Sequence, residues 1–315
     1  MLRFLNRPVM LLAAFALAAP ALVASAADEP LTIRVAATAN DTYAEAYYAQ
    51  ERGEFSKAGL NVELATFTNG ASVTQAVVSG AADVGVSNVV QIGSAVQHGV
   101  PIRYFAGGGL YSSDEPTSAL AIADNAPIKV AKDFEGKTIG VSTLKDTSAI
   151  ATQAWLVDHG ADLSKIHFVE MPFAVMGPSL ARGTVAGAVI SEPSLSAAKT
   201  GGARIFAKSY DGIATRFLIS GWFSTLEFGK KNPAALKRLA QVIYATGKWA
   251  NTHRPESAKI LVKYAKLDPL VVREMARCQY ADNLDVKLIQ PALDAAVKYG
   301  ALDHAMQASD LIEAS

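Results

Sequence analysis

The chain has 315 residues, of which 50% are hydrophobic and 18% are charged, and its 29 basic side chains balance its 29 acidic ones. This composition excludes a disordered chain, and the absence of a basic surplus argues against a protein that binds nucleic acid or another polyanion. The length suggests about two domains, and the single cysteine, Cys278, excludes an intramolecular disulfide and a cysteine-rich zinc site.

The first 26 residues have the pattern of a secretory signal peptide. Two arginines precede an apolar run from Val9 to Val23, and the small residues Ala24-Ser25-Ala26 follow it. A membrane anchor is the alternative, because the run is just long enough to span a bilayer. Pro20 and the small residues favour cleavage near Ala26, and no cysteine follows that would carry a lipid anchor. We therefore expect export to the periplasm.

Beyond residue 30 the sequence alternates between strand and helix patterns. Strands are predicted at Leu31–Ala36, Asn61–Phe67, Val84–Ser87 and Ile102–Ala106. Helices are predicted between them at about Tyr43–Lys57, Ser72–Gly80 and Val89–His98. Strands separated by helices indicate βαβ units and a mainly parallel sheet. The glycines Gly107–Gly109 that follow predict a flexible crossing rather than a phosphate-binding loop.

The same pattern begins again after these glycines and then changes to helices. Strands are predicted at Ser118–Ala123, Thr138–Ser142, Ile166–Met171, Val185–Ile190, Arg204–Lys208 and, last, Phe217–Phe223. Between them, helices are predicted from Asp146 or Thr147 to His159, at about Pro178–Arg182 and at Pro193–Thr200. Four helices are predicted to end the chain, at about Pro233–Thr252, Pro255–Ala265, Pro269–Cys278 and Asp285–Tyr299. Two successive α/β units predict two lobes, and the last strand can return the chain to the first lobe.

A two-lobed α/β fold has its ligand site in the cleft beyond the carboxyl ends of its parallel strands. The loops that follow the predicted strands are therefore the candidates for ligand contacts. They are Ala39–Thr42, Asn69–Ser72, Ser87–Asn88, Ser142–Ser148, Pro172–Gly177 and Ser191–Pro193.

Catalytic motifs are weak in this sequence. Ser142-Thr143-Leu144-Lys145 matches the S-x-x-K of serine acylases and Lys199-Thr200-Gly201 matches their K-T-G, but the two lie too close together for that fold. The five histidines are scattered, and no zinc-binding or nucleotide-binding motif occurs. We therefore predict a protein that is not an enzyme and that has no cofactor and no metal. A secreted serine hydrolase that uses Ser142 and Lys145 is the alternative.

Five segments give the chain a resemblance to a known family. They are Gly59–Glu63, Gln75–Gly85, Phe134–Val141, Leu180–Ala188 and Glu192-Pro193. In these segments the chain resembles the periplasmic substrate-binding proteins of ABC importers in the SsuA/taurine/NMT1-THI5-like group. The resemblance extends over nearly the whole mature chain. The family also contains yeast-type pyrimidine synthases with a cysteine-rich segment, which this chain lacks.

The resemblance implies an α/β fold of the type II periplasmic-binding-protein class. Each lobe is then a mainly parallel sheet flanked by helices, with the C-terminal helices on the first lobe. We expect a signal peptide at residues 1–26, a discontinuous first lobe at 27–107 plus 213–315, and a second lobe at 108–212. The ligand cleft would lie between the lobes.

Helix N-termini in the cleft loops can hold a small anion without a net positive charge, because their N–H groups are unpaired. Ser72 and Ser148 are the best-placed residues for this role. Lys145 or Arg216 can add a full positive charge, or each can be a solvated surface side chain.

Other cleft residues suit a planar or polar ligand body. Tyr43, Phe173 and Met176 can enclose a planar or apolar group, or they can be ordinary core residues. Glu192 can accept a hydrogen bond from an amino group, or it can cap the helix that follows. The full set of predicted ligand-binding residues is Asn40, Asp41, Tyr43, Asn69, Gly70, Ser72, Ser87, Asn88, Ser142, Thr143, Thr147, Ser148, Phe173, Met176, Glu192 and Arg216.

These features together predict an extracytoplasmic solute receptor. We expect a monomer that binds a small sulfonate, carboxylate, nitrate or pyrimidine between its lobes and delivers it to an ABC permease in the inner membrane. No nucleic-acid partner is expected. A ligand-sensing subunit for a membrane kinase is a further alternative.

Overall fold

The computed structural model describes residues 31–273 and 275–313, and the predicted signal peptide lies outside them. Its strands are β1 (Thr32–Thr38), β2 (Asn61–Phe67), β3 (Val84–Asn88), β4 (Ile102–Gly107), β5 (Gly109–Ser112), β6 (Ser118–Ala123), β7 (Thr138–Val141), β8 (His167–Glu170), β9 (Gly187–Ser191), β10 (Ala203–Ala207), β11 (Arg216–Leu218), β12 (Ser220–Thr225) and β13 (Gln279–Tyr280). Its helices are α1 (Glu45–Glu51), α2 (Glu54–Lys57), α3 (Gly70–Val78), α4 (Val89–Gln97), α5 (Thr147–Asp158), α6 (Phe173–Ala181), α7 (Ser194–Thr200), α8 (Leu226–Lys231), α9 (Pro233–Thr252), α10 (Arg254–Ala265) and α11 (Val286–Lys298).

Two five-stranded sheets with the same strand arrangement form the two lobes. The first sheet has the order β2-β1-β3-β12-β4, and only β12 runs antiparallel to its neighbours. The second sheet, taken from its other edge, has the order β8-β7-β9-β6-β10, and β6 is again the antiparallel strand. Both sheets are mainly parallel, which confirms the fold class predicted from the sequence.

A third sheet joins the lobes, in the order β11-β5-β13. β5 and β11 are the two segments in which the chain crosses between the lobes, and they pair antiparallel to each other. The single strand predicted at Phe217–Phe223 is therefore two strands, because β11 pairs with β5 while β12 enters the first sheet. The helix predicted at Pro269–Cys278 is wrong as well. A 3-10 turn at Pro269–Arg273 is followed, over residues 275–278, by chain that is neither helix nor strand, and β13 comes next.

The glycines at the first crossing are tightly packed, which corrects the prediction of a flexible segment. A Cβ on Gly109 would lie 2.7 Å from the Cα of Thr42, and a Cβ on Gly107 would lie 2.5 Å from the carbonyl oxygen of Asn283. Real Cβ atoms do not approach other heavy atoms so closely. Glycine is needed here because the turn before α1 and the segment after β13 pack directly on the crossing.

One of the C-terminal helices contacts both lobes. α9 and α10 pack on α1, where they bury Tyr47 and Tyr48. α11 packs against α4 of the first lobe and also against α5 of the second. None of the helices in the described part of the chain combines the length and the apolarity of a membrane-spanning segment.

The close approach at Gly109 leads to a first prediction. We expect Gly109→Ala to lower the free energy of unfolding by about 1–3 kcal/mol, because the new methyl group must displace the backbone at Thr42. Urea denaturation of both proteins measures this change. Gly201→Ala is the matched control, since a Cβ there has its nearest neighbour at an ordinary 3.4 Å. Equal stability of the two variants would contradict the packing described here.

Candidate functional site

The carboxyl ends of parallel strands from both main sheets meet between the lobes. The backbone N–H of Asp41, after β1, donates to the carbonyl oxygen of Glu192, after β9, at 2.9 Å. The hydroxyl of Thr147, after β7, donates to the side-chain oxygen of Asn88, at the end of β3, at 3.3 Å. These bonds join the carboxyl ends of parallel strands from both sheets, where α/β folds bind their ligands. We call this interface the cleft.

Two buried tyrosines, one from each lobe, lie in the part of the cleft near Asp146, which we call the centre of the cleft. Tyr43 comes from the turn after β1, and Tyr210 comes from the turn after β10, near the paired hydroxyls of Ser118 and Ser191, which are 2.7 Å apart. Burial raises the pKa of both phenols, and the negative charge of Asp146 raises it further. Both tyrosines therefore keep their proton at neutral pH.

Asp146 is the N-cap of α5, and its carboxyl group is buried in the cleft. Its Oδ1 accepts hydrogen bonds from the backbone N–H of Ala149 at 3.0 Å and from the hydroxyl of Ser148 at 2.7 Å. The hydroxyl of Ser142 donates to its other oxygen. Burial raises the pKa of Asp146, and the hydrogen bonds from Ser142 and Ser148 oppose that rise. An aspartate is a preferred N-cap, so the sequence already favours this position for the start of the helix.

A buried ion pair fixes the loop after β1. Arg277 binds Asp41 through Nη2 at 2.7 Å and through Nε at 2.9 Å, and both side chains are at least 95% buried. The second carboxylate oxygen accepts from the backbone N–H of Cys278 at 2.6 Å. Arg277 also donates to the hydroxyls of Tyr48 at 2.7 Å and Ser257 at 3.0 Å. The cation is thus fully engaged by the protein itself.

Two glutamates of the second lobe bind the same segment. Glu192 accepts from the backbone N–H of Ser196 at 3.0 Å, in the first turn of α7, and from the N–H of Ala276 at 3.3 Å. Burial, with a smaller contribution from Asp41, raises the pKa of Glu192 to about 7. Glu115 accepts from the backbone N–H of Arg277 at 3.0 Å. Glu192 therefore acts as a helix cap and as a link between the lobes.

A further acid lies buried beneath the cleft at the start of α1. Glu45 is 1% exposed, and neither of its carboxylate oxygens has a hydrogen-bond partner among the described residues. It lies against Gly108, near the indole of Trp222. Burial, with a smaller contribution from Asp41, raises the pKa of Glu45 to about 8. The side chain is therefore mostly protonated at neutral pH.

Several predicted site residues organise the loops of the first lobe. Asn69, rather than Ser72, is the N-cap of α3, and the two side chains form a reciprocal capping box. The Asn40 side chain accepts from the backbone N–H of Thr42 at 2.9 Å. The hydroxyl of Ser87 donates to the carbonyl oxygen of Gly70 at 3.0 Å.

Other predicted residues lie elsewhere. Met176 is fully buried in the apolar core of the second lobe, because the inner face of α6 packs on β6 and β9. Arg216 is exposed on β11 and donates to the side-chain oxygen of Gln279 at 2.9 Å. Thr143 and Phe173 are half-buried, Thr143 in the loop before α5 and Phe173 at the start of α6. The structure does not bring Met176 or Arg216 to the cleft.

The sequence analysis included Ser191 in a candidate cleft loop, but it did not identify Tyr210, Arg277 or Ser118 as cleft residues. Ser118 pairs with Ser191 at the start of β6, on the cleft side of the second sheet. Arg277 gave no signal in the sequence, since its partners Asp41 and Tyr48 are more than 200 positions away.

The catalytic alternative has no support in this geometry. The Ser142 hydroxyl donates to Asp146, while the side chain of Lys145 is exposed. Within residues 31–273 and 275–313, no group of three His, Cys, Asp or Glu side chains could hold a metal ion. Cys278 is buried against the carbonyl oxygen of Asp41, and burial raises the pKa of its thiol.

Comparison with known proteins places the chain in a family. Residues 40–258 match the family model described as NMT1/THI5 like. No curated protein matches the chain in sequence.

Solved structures share the fold at low sequence identity. The aliphatic sulphonate binding protein SsuA from Escherichia coli is 17% identical, with a TM-score of 0.72, over 90% of this chain and 97% of that one. The alkanesulfonate-binding protein SsuA from Xanthomonas axonopodis pv. citri, bound to MOPS, is also 17% identical, with a TM-score of 0.74, over 91% and 99%. The desulfurization enzyme DSZB is 14% identical, with a TM-score of 0.64, over 89% and 96%. These likenesses establish the periplasmic-binding-protein fold.

The buried ion pair leads to a second prediction. We expect Arg277→Met to lower the free energy of unfolding by about 3–5 kcal/mol, because it leaves the buried Asp41 carboxylate without its cation. Adding Asp41→Asn should restore part of the loss. A double-mutant cycle by urea denaturation measures the coupling, and additive effects of the two substitutions would contradict a direct interaction.

Glu45 leads to a third prediction, on pH dependence. Its pKa is raised in the folded state from 4.5 to about 8, so its contribution to stability is complete below pH 4.5 and is lost as the pH rises toward 8. We expect Glu45→Gln to be more stable than the wild type at pH 8 by a few kcal/mol (order of magnitude), and not at pH 5.

Thermal denaturation at both pH values, with the exposed Glu63→Gln as control, measures this difference. Glu192 titrates in all three proteins, so only the difference between them reports on Glu45. The same pH dependence in Glu45→Gln and in the wild type would contradict the assignment.

Proposed function

The chain belongs to the NMT1/THI5-like family, and we propose that it is an extracytoplasmic receptor that binds a small organic ligand between its lobes and delivers it to an ABC permease. The proposal includes the division into lobes at 27–107 plus 213–315 and at 108–212. It also includes export by the predicted signal peptide.

The observation that carries the proposal is the convergence of buried polar side chains from both lobes. Asn88 and Thr147 meet across the cleft, and Tyr43 and Tyr210 come from opposite lobes. Polar groups are rarely buried at an interface unless they are paired or serve a ligand. Their position at the carboxyl ends of the parallel strands is the position of ligand sites in such folds.

The connection between the lobes supports a mechanism of closure. The chain passes between the two main sheets through β5 and β11 of the small third sheet, and α11 packs on both lobes. The bonds from Asp41 to Glu192 and from Thr147 to Asn88 cross the cleft, so opening breaks them. A ligand that contacts both lobes stabilises the closed form by its preference for that form. A permease can then recognise the closed receptor.

The names of the structural neighbours support a transport role. Two of them are sulfonate-binding proteins named SsuA, one of which is described as periplasmic. An enzyme with the same fold also occurs, but the fold alone does not define the chemistry. In this chain Ser142 and Lys145 do not form a nucleophile and base pair, which favours the receptor over the hydrolase.

Ligand binding leads to a fourth prediction. We expect one compound class from a panel of sulfonates, carboxylates, nitrate and pyrimidines to raise the melting temperature by several degrees (order of magnitude) when saturating. The rise should grow with the logarithm of concentration, and the compound should be recovered unchanged.

Thr147→Val tests the cleft directly, because it removes the hydroxyl that donates to Asn88 and keeps the shape of the side chain. It should weaken binding, while Thr184→Val, on the exposed surface of the second lobe, should not. Turnover of the compound, or equal binding by the two variants, would contradict the proposed function.

A further inference from the structure

The cleft contains a buried carboxyl group without a cation partner among the described residues, and capping side chains occupy the helix ends that an anion would use. We infer that the ligand presents N–H donors to the cleft, as an amine, amidine or amide, rather than a sulfonate, nitrate or carboxylate group. This inference rests on the proposed receptor function and names the chemical class of its ligand.

The helix N-termini at the cleft are already capped by the protein. The Asn69 side chain accepts from the first turn of α3, Asn88 accepts from that of α4, and Asp146 accepts from that of α5. An anion binds at a helix N-terminus because the N–H groups there are unpaired. Here one N–H group in each first turn has a side-chain partner, and at α5 that partner is itself a carboxylate.

The buried charges at the cleft are predominantly acidic. Asp41, Asp146 and Glu192 are each at least 95% buried, whereas Arg277 is the one cation in the buried part of the described chain. The donors of Arg277 are used by Asp41 and by the neighbouring groups described above. An anionic ligand would therefore meet the buried carboxyl of Asp146 with no free buried cation among the described residues to offset it, which is unfavourable.

Asp146 is the carboxylate best suited to a donor ligand. Asp41 has Arg277 as its cation, but Asp146 has only hydroxyl and backbone donors around it. Its charge reaches the centre of the cleft, since it contributes to the raised pKa of Tyr43 and of Tyr210. A cationic N–H group of a ligand that reaches Asp146 supplies the positive charge that no described residue provides there.

Two buried threonine hydroxyls without hydrogen-bond partners among the described residues lie on the same side of the sheets as the cleft and are available to a ligand. Thr38, at the carboxyl end of β1, and Thr117, next to the start of β6, are both buried, and neither side-chain oxygen has a hydrogen-bond partner among the described residues. The backbone carbonyl of Thr117 accepts from the N–H of Glu192, which fixes this residue beside the cleft. A hydroxyl group both donates and accepts hydrogen bonds, so both residues can contact a ligand that donates.

The test compares ligand pairs of the same shape and different charge on the mature chain. Benzamidine is paired with benzoate, nicotinamide with nicotinate, and propylammonium with propanesulfonate, and calorimetry measures the affinities. We expect at least one amidine, amide or ammonium compound to bind about tenfold or more tightly than its anionic partner. Tighter binding of the anionic member would overturn this inference and leave the receptor function intact. No binding by any of the six compounds would count against both.

Asp146→Asn tests the residue itself. Asparagine is as good an N-cap as aspartate, so the start of α5 is retained while the charge is lost. We expect the affinity for the preferred cationic probe to fall about tenfold and that for its anionic partner not to fall. Asp162→Asn is the control, because Asp162 also caps a helical turn of the second lobe but is exposed. Equal effects of the two substitutions on binding would overturn the role of Asp146.

Discussion

The buried carboxylate of Asp41 is the constraint on which the arrangement of the cleft depends. An ionised carboxylate without a cation is costly in a protein interior, so Asp41 requires Arg277. The segment after α10 therefore lies against Asp41, and the backbone N–H of Cys278 donates to the same carboxylate. The segment then continues into β13, which completes the sheet between the lobes. One ion pair thus connects the first lobe, the C-terminal region and the third sheet.

The other buried acids of the molecule are accommodated by different means. Asp146 is held by hydroxyl and backbone donors, and burial raises the pKa values of Asp146, Glu45 and Glu192. The ion pair stabilises its carboxylate more strongly than hydrogen bonds stabilise the other acids, because only the ion pair supplies a full opposite charge. The side of the cleft next to the third sheet is therefore fixed firmly, and the centre of the cleft keeps a buried carboxyl group, Asp146, without a cation partner among the described residues.

Local signals allowed much of the fold to be predicted, but they did not extend to the contacts between distant segments. The alternation of strands and helices, the start of α5 at Asp146 and the loops after the strands follow from short sequence patterns. The short strand β13 and the pairing of Arg277 depend on partners far away in the sequence, and no local pattern encodes them. The role of Gly107–Gly109 also depends on contacts with distant segments. Their composition indicates flexibility, while packing by Thr42 and Asn283 explains why glycine is required.

Under the proposed function, the charge that selects the ligand also makes closure depend on it. When the cleft is open, water solvates the carboxylate of Asp146, and closure removes that water. A donor ligand replaces the lost solvation in the closed form only, so it binds that form more tightly and shifts the population toward it. An anion of the same shape would add repulsion at the same step. Selectivity and closure therefore have a common physical origin in one buried side chain at the start of α5.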